Sequence, residues 1–244
     1  MLLHVYGVVG GAVSLPTDLL GRAGRPLRRV ADEDLAVLVS DIDEDAHVRR
    51  DDLMVHAHLL EAVCAETTVI PTQFGVLLPD EDTVRREFLG NQRERLLGLL
   101  RAFDGCVQVT VHASYAEEAA LREVLRRDPG LVGLRDAAAH DPGAQLALGE
   151  AVADALATVR GEASDLIVEE LRPHLRAVAL NETRGAYDVA NLALLVDRAD
   201  RPALDAAVGA LGRKLEGRMN LRYVGPQPPY AFLEHVATEE GSWA

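Results

Sequence analysis

The chain has 244 residues, 48% hydrophobic, 26% charged and only 4% aromatic, enough for one or two domains with a core built mainly from Leu, Val and Ala. Its formal net charge of −14 argues against nucleic acid, whose phosphates need clustered Lys and Arg, and against an anionic membrane surface. No apolar run approaches the roughly 18 residues of a membrane span, and no early basic stretch leads into an apolar signal segment. A cytoplasmic protein is expected, kept soluble by self-repulsion. Cys64 and Cys106 sit singly in apolar patterns and read as reduced core residues.

Leu2 to Val9 is apolar and ends at Gly10-Gly11, which predicts a first strand. Leu15 to Pro26 reads as loop, with Pro16, Gly21, Gly24 and Pro26 as breakers. Leu35 to Val39 predicts a short strand after the turn Ala31-Asp32-Glu33-Asp34, and Asp41 to Asp52 an acidic loop. Asp52 to Glu66 reads as a helix with Leu53, Ala57, Leu60 and Cys64 on its inner stripe. Thr67 to Ile70 and Phe74 to Leu78 are short extended runs, and Pro71 between them breaks regular structure. Asp80-Glu81-Asp82 opens a helix that continues through Phe103.

Val107, Val109 and Val111 alternate with Gln108, Thr110 and His112, a half-buried strand. Tyr115 to Arg126 is a helix, and Asp128-Pro129-Gly130 and Asp141-Pro142-Gly143 bracket an irregular insert. A long helix from Ala144 carries Leu148, Val152, Leu156, Val159, Ala163 and Leu166, and Gly161 is a candidate kink. Leu175 to Leu180 and Tyr187 to Val196 are strands. Asp200 is placed to cap a helix with Pro202 in its first turn, and Met219 to Tyr223 is a last strand. The expected fold class is α+β in two domains: 1–104, and 105–225 with the strand-helix-strand-strand-helix-strand order of a ferredoxin-like fold. Residues 226–244 form a Pro-rich tail.

The residues offer little chemistry. Asp41-Ile42-Asp43-Glu44-Asp45 resembles a calcium loop in its first acids only, since Ala46 replaces the needed Gly and the twelfth position is the short Asp52. His56 and His58 are two apart, so on a helix they diverge; His56 is expected to be partly buried with hydrogen-bonded ring nitrogens. No zinc, nucleophile or phosphate-loop motif is present. No catalytic residue, metal or cofactor is expected.

Two short strings stand out instead. In Val69-Ile70-Pro71-Thr72-Gln73-Phe74-Gly75, Pro71 and Gly75 set a bend that aims Phe74 either at the core between the domains or at a partner. In Gly225-Pro226-Gln227-Pro228-Pro229-Tyr230-Ala231-Phe232, the prolines predict a stiff, polyproline-like strip that delivers Tyr230 and Phe232. It either locks the body of the protein or serves a partner. Together with Val5-Tyr6-Gly7-Val8-Val9, the helix around His56 and Ala190-Asn191-Leu192-Ala193-Leu194-Leu195-Val196, these strings resemble the gas vesicle protein L/F family across most of the chain. Gln227 stands where that family usually has Trp.

The resemblance implies an assembly accessory protein of gas vesicles, not an enzyme, whose partner is the small apolar shell subunit and possibly other gas vesicle proteins. Pro71, Phe74, Gly75, Gly225, Pro226, Pro228, Pro229, Tyr230 and Phe232 are then structural or partner-binding residues. The rival reading is a small-molecule enzyme or ligand-binding module, with Gln108, Thr110, His112, Asn220 and Arg222 lining its site.

Overall fold

The apolar run at the N-terminus forms β1 (Leu2–Gly10), which is buried along nearly its whole length. That explains why it reads as a continuous hydrophobic string rather than an alternating one. The structure, a computed structural model, describes residues 1–15, 18–138 and 141–234. It is mixed helix and sheet, with two antiparallel sheets.

In the first sheet β2 (Arg28–Asp32) and β3 (Leu35–Ile42) form a hairpin, and β3 lies against β1. The β1–β3 register runs from Leu2 opposite Ile42 to Gly10 opposite Leu35, with a bulge at Tyr6. The other edge of β1 carries two short strands, β4 (Ile70–Pro71) and β5 (Leu77–Leu78), which follow α1 (Arg50–Glu66). Gly7 pairs with Pro71 and His4 with Leu77. The chain therefore leaves the sheet after Pro71 and rejoins it at Leu77. Residues 72 to 76 arch between, tied down where Thr72 N–H donates to Tyr6 O (2.9 Å) and Val5 N–H to Val76 O (3.0 Å).

Pro71 is the last residue of its strand, at the sheet edge where a missing N–H is tolerated, and regular structure stops after it as expected. A correction is β2, absent from the sequence reading. Its charged ends are paired outside the strand: Arg28 with Asp41 of β3 and with Glu81, and Asp32 with Arg93. The helical stretch after β5 is also less regular than expected. It passes from α2 (Glu81–Thr83), capped by the Asp80 carboxylate, through π-helical and 3-10 turns into α3 (Arg93–Ala102).

The second sheet has the order β7-β8-β6-β9, built from β6 (Cys106–Tyr115), β7 (Ala177–Leu180), β8 (Asp188–Asp197) and β9 (Met219–Gln227). Between β6 and β7 come α4 (Glu117–Arg127), α5 (Gly130–Ala138) and α6 (Pro142–Leu171). The expected irregular insert is thus largely helix α5; residues 139–140 lie outside the described ones. The helix α6 runs unbroken through Gly161, and its inner stripe is Val159, Ala163, Ile167 and Leu171, with Leu166 turned outward. Asp200 precedes α7 (Arg201–Lys214) in the cap position, but its side chain makes no capping bond.

The chain divides into two compact units. The first comprises Met1–Val109, Leu195–Arg198 and the residues from Gly225 onward; the second comprises Thr110–Leu194 and Ala199–Val224. No described helix is long and apolar enough to cross a membrane.

Candidate functional site

The site lies in the first unit and begins with side chains in the middle of β1. Strand alternation puts His4 and Tyr6 on one face, where both are fully buried. The helix α1 covers that face and presents His56 to it. The inner stripe of α1 is His56, Leu59, Leu60, Val63 and Cys64, rotated from the expected one, so that Leu53 is 53% exposed. His56 is buried, as the sequence reading anticipated in part, and exposed His58 points elsewhere.

The two histidines form a hydrogen-bonded chain. His56 Nε2 lies 3.3 Å from Thr72 O, and His56 Nδ1 lies 3.2 Å from His4 Nε2. A carbonyl only accepts, so His56 donates through Nε2 and accepts at Nδ1, and His4 donates through Nε2. His4 Nδ1 is then a buried lone pair with no hydrogen-bond partner among the described residues. Burial, then the neighbouring His56 and Arg22, hold His4 down to about 4 despite the opposing pull of Asp52. Burial lowers His56 too, against the opposing effect of the Thr72 carbonyl. Both rings are neutral at pH 7.

Beneath them runs a second polar chain. Arg22, 3% exposed, donates through Nε to Asp52 (2.6 Å) and through Nη2 to His47 O (2.9 Å). Its own N–H donates to Tyr6 Oη (2.6 Å), which also pairs with Ser40 Oγ at 2.8 Å. Burial would raise the Asp52 carboxyl, but hydrogen bonds from Arg49 N–H and the Arg22 guanidinium outweigh it and hold the group low. Sequence reading missed His4, Tyr6, Arg22 and Ser40. The available signal was a His and a Tyr set two apart in an otherwise apolar strand.

Phe74 closes this cluster from the arch between β4 and β5. Its ring centroid is 5.4 Å from that of His4 and 5.6 Å from that of His56. Gly75 next to it has φ +96°, a conformation that favours glycine.

The C-terminal string arrives at the same place. Pro226 and Gln227 are the last residues of β9, so the strip starts as sheet rather than as the expected polyproline-like tail. The Gly225–Pro226 peptide is cis. Pro228, Pro229 and Phe232 are buried, and Ala231 N–H donates to the Gln108 side-chain oxygen at 2.9 Å. That bond gives Gln108, one of the rival reading's candidates, a structural partner. His112, another, lies 3.5 Å from Asp188. Gly225 has φ +147°, and a Cβ there would sit 2.8 Å from Val109 Cγ1 and 3.1 Å from Gln108 O. Gly225→Ala is therefore expected to cost about 1–3 kcal/mol through strain and overlap. A thermal melt within 1 °C of wild type would contradict this.

The two strings meet in an open groove of about 580 Å³. One wall is Pro71, Thr72, Gln73 and Phe74; another is Gln227, Tyr230, Ala231, Leu233 and Glu234; Leu53, His56, Ala57 and Glu61 of α1 complete it. Tyr230 is 41% exposed and Phe232 4%, so the strip anchors one aromatic and offers the other. Among the described residues no cluster of three His, Cys, Asp or Glu could hold a metal ion.

Fold and site together define an α+β protein of two antiparallel sheets with an aromatic-lined groove in its first unit that carries two carboxylates. The same fold is found in the crystal structures of gas vesicle protein GvpF from Microcystis aeruginosa (TM-score 0.81, 18% identity, 95% of this chain and 98% of that one) and from Anabaena sp. PCC7120 (TM-score 0.80, 19% identity, 95% of each). The chain belongs to the gas vesicle synthesis protein GvpL/GvpF family, whose model matches residues 2–234. It is 37% identical to gas vesicle protein F of Streptomyces sp. (strain CB03234), over 96% of this chain and all of that one. Gas vesicle protein F2 of Halobacterium salinarum is 27% identical over 98% of this chain and 95% of its own. A role in gas vesicle formation follows from the family.

Proposed function

We propose that this protein serves gas vesicle assembly by binding the apolar shell subunit, in a chaperone-like or scaffolding role, in the cytoplasm and at the growing vesicle. The observation that supports this most is the convergence of Pro71–Phe74 and Gln227–Tyr230 on one groove, although 150 or so residues separate them in the chain. Half-exposed apolar side chains at such a groove are what a docking surface requires. Pro71, Gly75, Gly225, Pro226, Pro228, Pro229 and Phe232 shape and anchor its walls, while Phe74 and Tyr230 face the partner. Binding, not catalysis, is the activity.

The strand order β7-β8-β6-β9, with helices after β6 and β8, supports reading residues 105–225 as a ferredoxin-like domain. Residues 1–104 then form the other domain, with the C-terminal strip packed in the first unit.

The test is capture of the shell subunit by the wild type and by Leu53→Asp. Leu53 is exposed enough for the variant to fold, and placing a carboxylate in an apolar contact is expected to weaken capture by about tenfold or more. The contact is largely apolar, so most of the wild-type affinity should persist at high salt. In the host, deletion of the gene should abolish gas-filled vesicles scored by light scattering and microscopy. Normal vesicles, with no second family copy present, would end this reading in favour of the enzyme alternative.

A further inference from the structure

Leu53, Ala57 and Glu61 follow one another at four-residue steps along α1, so they share a face, and all three line the groove. The apolar surface beside them comes from Pro71, Phe74 and Leu233. Among the described residues the charged ones lining the groove are the carboxylates Glu61 and Glu234, with no Lys or Arg. Glu61 makes no hydrogen bond or ion pair among the described residues. The other titratable groups facing it, His56 and Tyr230, do not supply a cation. His56 is held neutral by burial, and burial pushes the Tyr230 hydroxyl up to about 12, with Glu61 itself contributing.

A wholly apolar occupant would take the Glu61 carboxylate out of water with nothing to pair it, which is costly. An acidic occupant would be repelled, both by Glu61 and by the net charge of −14. We infer that the groove takes an amphipathic segment whose apolar side chains pack on Leu53, Pro71, Phe74 and Leu233 and whose Lys or Arg meets Glu61. This rests on the reading that the groove receives the shell subunit, and names the feature by which a segment of that subunit is chosen. Apolar contact supplies most of the affinity and the single ion pair sets register and choice.

The experiment uses the full chain and overlapping synthetic peptides of the shell subunit, each made with its own Lys and Arg and again with these replaced by Gln. Binding is read by fluorescence anisotropy at 50 and 500 mM NaCl, with wild type, Glu61→Gln and Leu53→Asp. For the peptide that binds, replacing Lys and Arg is expected to weaken wild-type binding by about 3- to 10-fold. The same replacement should leave Glu61→Gln binding unchanged, and raising salt should weaken only the wild-type complex. Because Glu61 makes no hydrogen bond or ion pair among the described residues, Glu61→Gln should melt with the wild type. A Leu53-sensitive peptide that binds wild type and Glu61→Gln equally at both salts overturns the ion pair and leaves the groove reading standing. If no peptide binds, or binding ignores Leu53→Asp, the groove reading itself falls, and this inference with it.

Discussion

Arg22→Ala is expected to destabilise the protein by about 3–5 kcal/mol, the cost of removing one partner from a buried ion pair, and to lower its melting temperature by roughly 6–20 °C for a chain of this length. The guanidinium is 3% exposed and the Asp52 side chain 13%. Removing Arg22 leaves a carboxylate with little water and with only the Arg49 N–H to bind it. It also frees the His47 carbonyl, which Arg22 Nη2 now occupies. The Arg22 main-chain bond to Tyr6 persists in the variant, so the loss reports the side chain. A double-mutant cycle with Asp52→Ala should give a coupling of opposite sign to the single losses, because the double variant leaves no orphan charge. A loss below about 1 kcal/mol for Arg22→Ala would mean that the pair is solvated and behaves like a surface one.

This pair also shows where sequence reading stops. Apolar runs such as Leu2 to Val9 and Tyr187 to Val196, and the alternation at Val107, Val109 and Val111, announced β1, β8 and β6, because burial on one or both faces fixes the residue type position by position. The strand β2 did not announce itself. As an edge strand it carries Arg28 and Asp32, which pair with residues on β3 and in the helices, and Arg29, which donates to the Gly11 and Val13 carbonyls. The helix α5 was hidden behind Asp-Pro-Gly turns that bracket it without preventing helix between them.

The inner stripe of α1 lies one position from the one that its leucine spacing predicts, because His56 stands at its centre. Placing Leu53 and Ala57 in the core had the further effect of concealing that they line a groove. The two odd strings were visible as strings, since Pro and Gly punctuate them. That they share one groove was not, because their meeting depends on β4 pairing with β1 and on β9 running to Gln227, both non-local facts. The same holds for His4 and His56, 52 residues apart.

Acidification from pH 7 to about 4.5 is expected to remove about 2–3 kcal/mol of stability through His4 alone. In the folded protein His4 is fully buried and holds its proton only below about 4. In the unfolded chain it binds one below the ordinary histidine value near 6.5. Between these two values the unfolded state carries more protons than the native state, so stability falls as pH falls. Above pH 7 neither state is protonated at this site and the contribution is flat. His56, lowered by burial, acts in the same direction. The groups facing the pair from the other elements do not reverse the sign. Asp52, held low, withdraws its own contribution only as pH falls through the carboxylate range, and the Tyr6 hydroxyl, raised by burial, titrates far above this window. The structural reason for the resistance is plain: a protonated His4 would have a buried N–H at Nδ1 with no acceptor, and a protonated His56 would turn its Nδ1 lone pair into a donor against the His4 donor. Urea unfolding at half-unit steps from pH 8 to 4.5 checks this. The wild type should be flat above 7 and then decline, and His4→Gln with His56→Gln should remove most of the decline. A wild-type profile without slope between pH 6.5 and 4.5, or an equal slope in the double variant, would show that the pair admits protons as freely as it does in the unfolded chain.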